Sequence, residues 1–183
     1  MNIKIRPWDK SDLPSLVKYA NNPNVAQYLT NQFPHPYTEE DGKAFIEFSR
    51  KDDPIHIFAI EFDGEAIGGI GVHPKDDIHC KNAELGYWIG EPFWGKGIAT
   101  LALQHIIDFA FENYNIDRLY ASAFGPNKGS QRVLEKSNFK LEATFIKTVF
   151  KNNEYYDELC YAMRRTKWKS IRNSNGRSTI LKM

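Results

Sequence analysis

A single α+β domain is the architecture this sequence predicts, and three observations predict it. The chain has 183 residues, enough for one sizeable core and short of the length at which chains usually divide. Runs with the period of a strand recur along it and are interrupted by runs with the period of a helix, in the coarse order βααβββαβαββ, so neither an all-helical nor an all-strand fold fits. The third observation is residues 84–100, Glu-Leu-Gly-Tyr-Trp-Ile-Gly-Glu-Pro-Phe-Trp-Gly-Lys-Gly-Ile-Ala-Thr, where the period changes within one stretch. Up to Ile89, Ala83, Leu85, Tyr87 and Ile89 share one face while Glu84, Gly86 and Trp88 share the other. From Gly97 the spacing is helical, with Ile98, Leu101, Ala102, Ile106, Ala110 and Tyr114 apolar and Thr100, Gln104, Asp108 and Glu112 polar.

Each element has a local reason. Residues 2–6 alternate as a first strand, and Asp9 or Ser11 caps a short helix that buries Leu13, Leu16 and Val17 before Asn21-Asn22-Pro23-Asn24 breaks it. A further turn is expected over residues 25–29. The two prolines of Gln32-Phe33-Pro34-His35-Pro36-Tyr37 force an extended path. Thr38, with Asp41 three residues on, caps a helix over residues 39–50 whose apolar side reads as Phe45, Ile46 and Phe48. Strands over 55–62 and 66–72 flank Asp63-Gly64, a hairpin dipeptide. After a polar loop and the central stretch, residues 118–124 alternate as a strand, Asn127 caps a helix to about residue 137, and residues 141–150 and 155–163 form a closing hairpin.

The loop Trp94-Gly95-Lys96-Gly97-Ile98-Ala99 opens a helix, where the first amides lack intrahelical partners and the helix dipole favours negative charge. Two familiar phosphate loops are excluded: Gly97 is followed by Ile98 rather than Lys-Ser/Thr, and position 100 is Thr where a dinucleotide fingerprint needs a third glycine. The run instead resembles the acetyl-CoA loop Gln/Arg-x-x-Gly-x-Gly/Ala of the GCN5-related N-acetyltransferase (GNAT) family, with Trp94, Gly97 and Ala99 at the defining positions and Trp94 departing from Gln/Arg. Over its whole length it is similar to the RimJ/RimL branch, which acetylates ribosomal-protein N-termini. The segment Asn127-Lys128-Gly129-Ser130 through Asn138-Phe139 resembles the family again; Asn138 stands where the family has Gly, and Asn tolerates the left-handed conformation a helix end wants.

The resemblance covers about residues 2–163, and what it implies is a GNAT-like domain over residues 1–163 followed by a basic tail over 164–183. The implied fold is a mixed, mostly antiparallel seven-stranded sheet with helices on both faces. The implied co-substrate is acetyl-CoA, its pantetheine arm held at Trp88, Ile89 and Gly90 in a gap between two splayed strands. Its pyrophosphate would lie on Gly95, Lys96, Gly97, Ile98, Ala99 and Thr100, with Asn127 on the pantetheine amides. Phe33, His35 and Tyr37 fall in the segment that walls the acceptor pocket in that branch.

Acyl transfer to an amine needs an oxyanion donor, a proton acceptor and a partner for the departing thiolate. The Ile89 amide, Glu84 acting through water, and Ser130 are the candidates. At pH 7 a lysine-like amine gives up about 4.6 kcal/mol to become neutral and an α-amine only about 1 kcal/mol, so one water-linked Glu fits an N-terminal α-amine somewhat better, without excluding side-chain or small-molecule amines. A small-molecule amine, such as a polyamine or an aminoglycoside, is the alternative. A protein that binds acyl-CoA without catalysis is the remoter one, and Glu84, Asn127 and Ser130 together argue against it.

Composition fits a soluble, cytoplasmic enzyme, monomer or homodimer. No stretch approaches the roughly 20 apolar residues of a membrane span, and the N-terminus lacks a secretory pattern. Cys80 and Cys160 have no Cys-x-x-Cys partner and read as reduced packing residues, and the ring of His73, His79 and Cys80 lacks zinc-ligand spacing, so no metal is expected. Residues 164–183 carry seven basic and no acidic side chains against a net charge of +1, which leaves about −6 on the rest. That tail has no RNA-binding motif and reads as a solvated terminus, while an acidic body suits a cationic acceptor.

Overall fold

The computed structural model describes residues 2–174. Seven strands form one sheet in the order β1 (Ile3–Pro7), β2 (Ile57–Phe62), β3 (Glu65–Pro74), β4 (Asn82–Ile89), β5 (Arg118–Phe124), β7 (Glu154–Arg164) and β6 (Lys140–Lys151). Every neighbouring pair is antiparallel except β4 with β5. The tight turns follow from residues that accept positive φ: Asp63 and Gly64 at 49° and 91° join β2 to β3, and Asn152 and Asn153 at 52° and 60° join β6 to β7. Asn138, at φ 68°, ends the helix before β6 as a glycine would.

Helices α1 (Leu13–Ala20), α2 (Pro23–Ala26) and α3 (Glu39–Ser49) follow β1; α4 (Ile98–Asn113) and α5 (Lys128–Lys136) flank β5; α6 (Arg165–Ser174) follows β7. One face of the sheet carries α4, whose Ile98, Ala102, Leu103, Ile106, Ala110 and Phe111 close over Ile60, Ile67, Ile70, Leu85 and Leu119. The other carries α1 and α3 over a second cluster with Trp8, Leu16, Tyr37, Ile46 and Ala59. Full burial stabilises each Ile or Leu by about 1.5–3 kcal/mol, so α4 is anchored more firmly than its propensity alone would manage. Helix α3 begins with a reciprocal cap, Asp41 N donating to Thr38 Oγ1 at 3.2 Å and Thr38 N donating to Asp41 Oδ2 at 2.8 Å.

The structure corrects three readings. Phe48 is 53% exposed, because the buried stripe of α3 runs through Gly42, Ile46 and Ser49, where α1 approaches too closely for large side chains. Cys80 is exposed; only Cys160 is a packing residue. The basic terminus is not simply solvated from residue 164: Arg164 closes β7, and α6 packs Trp168 against Phe111, with ring centroids 5.3 Å apart. Trp168 Nε1 donates to Asp108 at 2.7 Å. Arg165 donates to the carbonyls of Phe111 (2.7 Å), Tyr114 (2.7 Å) and Ile116 (2.6 Å), which serves the acceptors that the end of α4 leaves unpaired. Residues 175–183 of the expected tail lie outside the described residues.

Candidate active site

The site is built on the two unlike edges of β4. Toward β3 the register runs unbroken from Pro74↔Ala83 to Gly68↔Ile89, and Gly90 N donates to Ile67 O at 2.9 Å beyond it. In a β-ladder the N–H and C=O of alternate residues point the same way, so Glu84, Gly86, Trp88 and Gly90 are turned to β3 and Leu85, Tyr87 and Ile89 are turned away. Toward β5 the pairing stops after Asn82↔Arg118, Ala83↔Leu119 and Glu84↔Tyr120. On its other edge β5 is paired with β7 throughout, from Arg118↔Arg164 to Phe124↔Glu158. Beyond Glu84, whose rung the Leu85 N–H closes on Tyr120, the middle of the sheet therefore has an open edge about 13 Å long, from the Leu85 carbonyl to Ile89. A backbone edge of this kind is a template for pairing with an extended chain.

Of the expected pantetheine positions, Ile89 faces this gap, while the Trp88 backbone and the Gly90 N–H are committed to β3 and the Gly90 carbonyl accepts from Phe93 N. Tyr87, which the sequence places on the face of Ala83, Leu85 and Ile89, takes their place at the edge. Trp94 is 45% exposed, and its indole N–H, the one donor of its side chain, goes to Ile89 O at 2.7 Å. That leaves the Ile89 amide as the free group of its pair. Trp94 thus braces the edge.

The loop after β4 is fastened from both sides. Glu91 accepts hydrogen bonds from Asn22 Nδ2 (2.7 Å) and Asn24 Nδ2 (2.9 Å), which hold its carboxyl below the usual range, and Phe93 packs edge-on against Tyr19. Gly95 and Gly97 have φ of 73° and 79°, a region costly for any residue with a Cβ, and no atom lies within 4 Å of where a Cβ would sit on either. Gly97 precedes α4 with no side-chain cap, so the amides of Ile98, Ala99 and Thr100 are left to an external acceptor at the positive end of a 16-residue helix. Lys96 is exposed beside them, its Nζ 5.7 Å from the centre of the Phe93 ring.

Across the gap, Asn127 Oδ1 accepts from Ser130 N at 3.0 Å and caps α5. Its Nδ2 is the atom left for a second role. Ser130 Oγ is 2.8 Å from Tyr87 Oη, a contact between residues 43 positions apart that joins β4 to α5 over the open edge. Burial pushes the Tyr87 phenol up to about 12, against the opposing effect of the Ser130 hydrogen bond, so it stays protonated near neutrality. The sequence signal for this pair was a tyrosine at a core position, since a buried phenol needs a hydrogen-bond partner.

Glu84 stands at the last closed rung. Its Oε2 accepts from Lys75 Nζ at 2.6 Å and from Tyr120 Oη at 3.4 Å, and the Glu84 carboxylate raises the Lys75 ammonium above its ordinary value. Five residues of strand, about 16 Å, separate it from Ile89, so the two are not brought together directly. Opposite it, His73 packs against His56, and burial and the His56 charge lower its imidazole pKa. A cavity of about 330 Å³ lined by Lys75, Asp76, His79, Asn82, Arg118 and Tyr120 lies at this closed end rather than on the open edge. Among the expected acceptor residues, Phe33 meets Trp88, with centroids 5.6 Å apart, and Tyr37 at 5.1 Å. Tyr37 itself is 4% exposed and belongs to the second core cluster, so it supports Phe33 rather than offering surface; His35 is exposed. The described residues contain no group of three His, Cys, Asp or Glu arranged to hold a metal, and no helix long and apolar enough to cross a membrane.

Comparison with known proteins gives a consistent frame. A family model described as an acetyltransferase (GNAT) domain matches residues 2–140. The uncharacterized N-acetyltransferase YnaD of Bacillus subtilis (strain 168) is 30% identical over 165 residues, covering 90% of this chain and 94% of that protein. Spermidine N(1)-acetyltransferase of Escherichia coli (strain K12) is 29% identical over 160 residues, covering 84% and 81%. Among solved structures, RimL, a ribosomal L7/L12 alpha-N-protein acetyltransferase in complex with coenzyme A, is similar with a TM-score of 0.79 at 22% identity, covering 90% of this chain and 94% of that one. At that identity the likeness concerns the fold.

Proposed function

This chain belongs to the GNAT acetyltransferase family, uses acetyl-CoA as its co-substrate, and, we propose, transfers the acetyl group to the N-terminal α-amine of a protein or peptide, as the RimJ/RimL branch does. The arrangement fits acetyl-CoA at three points. Leu85, Tyr87 and Ile89 present the edge that the pantetheine amides pair with, the free amides from Gly95 to Thr100 take the pyrophosphate, and Asn127 Nδ2 donates to a pantetheine carbonyl. The reacting carbonyl lies at the Ile89 N–H, which stabilises the oxyanion as the amine attacks. When the carbon–sulfur bond breaks, the electron pair goes to sulfur and Ser130 Oγ donates to it. Tyr87, donating to Ser130 in turn, strengthens that hydrogen bond. The proton of the attacking nitrogen passes along a chain of waters to Glu84, since a single water does not span the separation.

The observation that carries the acceptor reading is the Lys75–Glu84 ion pair. Glu84 is the one acidic residue on its face of β4, and its charge is already matched by Lys75. A site with one distant, engaged carboxylate suits an amine that is partly neutral at pH 7, as an α-amine with pKa near 7.8 is. A polycation would gain little from a carboxylate that is already paired. The second reading, a small-molecule amine such as a polyamine or aminoglycoside, is favoured by the spermidine acetyltransferase among the relatives. Incubation with acetyl-CoA and a panel of peptides with free N-termini, the same peptides blocked at Nα, spermidine and an aminoglycoside separates the two, read by thiol release and product mass. Turnover on free N-termini that vanishes with the block supports the first reading; turnover on spermidine or the aminoglycoside alone supports the second.

A further inference from the structure

We infer that Gly86 is the floor of the channel by which the acceptor amine reaches the acetyl group, left without a side chain so that the acceptor chain can lie on β4. The inference rests on the acetyltransferase reading above and adds the path of the second substrate. A glycine inside a central strand weakens the strand, and its usual reasons are a bulge, a left-handed backbone or close approach by another group. Gly86 has neither of the first two: the β3–β4 register passes through Gly71↔Gly86 without a break, and it is not among the residues with positive φ. The third reason separates it from the neighbouring strand's glycines. A Cβ on Gly69 would lie 2.8 Å from Trp88 Nε1, one on Gly71 would lie 3.0 Å from His73 Nε2, and one on Gly68 would strike the Trp88 carbonyl. At Gly86 no protein atom lies within 4 Å of that position, and the residue is exposed in the middle of a seven-stranded sheet. The approaching group is therefore not part of the protein.

Position says which ligand it is. Gly86 lies between Glu84 and Trp88 on the face opposite α4, whereas the loop at Gly97 belongs to the α4 face. With acetyl-CoA entering from the α4 and α5 side, the opposite face is the free approach to the open edge. Trp88 with Phe33 stands at one end of the bare strip and Glu84 with Lys75 at the other. Ser122, exposed on β5 two residues beyond the last rung, borders the strip across the gap. A strip about 13 Å long, floored by glycine and ending at a neutralised ion pair, fits an extended uncharged chain behind its terminal amine.

Gly86→Ala and Gly86→Val test this. Both should fold, and the Val protein should melt at an unchanged temperature or roughly 2–4 °C higher, since a β-branched residue suits a central strand. Acetyl-CoA affinity by calorimetry should be unchanged. The specificity constant for the acceptor should fall a little with Ala and roughly 10²-fold with Val, as displacement of the reacting nitrogen by about 1 Å predicts. Equal loss of acetyl-CoA affinity, unchanged acceptor kinetics, or a lower melting temperature would each overturn the inference. If the wild type takes spermidine and no peptide, the acceptor proposed above falls, and Gly86 is still judged by whether Val blocks spermidine.

Discussion

The two edges of β4, a strand in the middle of the sheet, are paired very unequally. Toward β3 the backbone is paired from Ala83 to Gly90; toward β5 it is paired for three residues and then left open. The same strand supplies both edges, so propensity does not explain the difference. It arises because β4 and β5 diverge after the third rung while β5 stays paired to β7 along its far edge, and because α4 and α5, anchored in the core, hold the gap from one side. The paired edge makes the fold rigid and the unpaired edge makes it useful: a protein edge that its own chain leaves open costs stability until a ligand completes it.

The largest effect is expected where the open edge meets the glycine loop. Gly97→Val forces a β-branched residue to φ near 79° and fills the space beside the α4 amides, so the loop must move. Loss of even two charge-assisted hydrogen bonds, about 3 kcal/mol together, lowers acetyl-CoA affinity roughly 10²-fold. Calorimetry on the folded variant checks this. Unchanged affinity would remove the loop from the site.

Glu84→Gln comes next and probes the closed end of the same gap. With proton transfer through water, turnover at neutral pH should fall about 10²-fold with acetyl-CoA affinity intact, near the lower end of what a positioned base contributes. Raising the pH should restore much of it, because more of the amine arrives neutral. A variant equally slow at every pH, with weakened acceptor binding, would show that Glu84 holds the amine by charge instead.

A smaller effect is expected of Ser130→Ala, which removes the hydroxyl partner of Tyr87 and a donor that matters mainly as charge develops on sulfur. Turnover should drop about tenfold while acetyl-CoA affinity changes little, corresponding to about 1.4 kcal/mol in the transition state. Equal losses in both would make Ser130 a binding contact only.

Much of this was legible in the sequence because it is local. The switch of period at residues 84–100, the hairpin at Asp63-Gly64, the cap at Thr38 and the left-handed Asn138 each depend on a few adjacent residues, and the structure has all four. What was hidden depends on meetings across the fold. Nothing local to Tyr87 says that it meets Ser130, which is far along the chain, and nothing local to Trp94, a defining position of the acetyl-CoA loop, says that its indole folds back to Ile89. Phe48 misled because hydrophobicity marked a stripe that Gly42 and Ser49 occupy where α1 comes close. Trp168 was missed among basic neighbours, although an isolated tryptophan in a charged segment is itself a sign of docking.

Amide hydrogen exchange along β4, followed by NMR with and without coenzyme A, tests the central claim most directly. In the free protein the amides of Leu85, which closes the last rung with Tyr120, and of Gly86, Trp88 and Gly90 should be protected and those of Tyr87 and Ile89 should exchange quickly; coenzyme A should slow the second set and leave the first unchanged. Protection of Tyr87 and Ile89 in the free protein, or no response of these two to bound coenzyme A, would contradict the account.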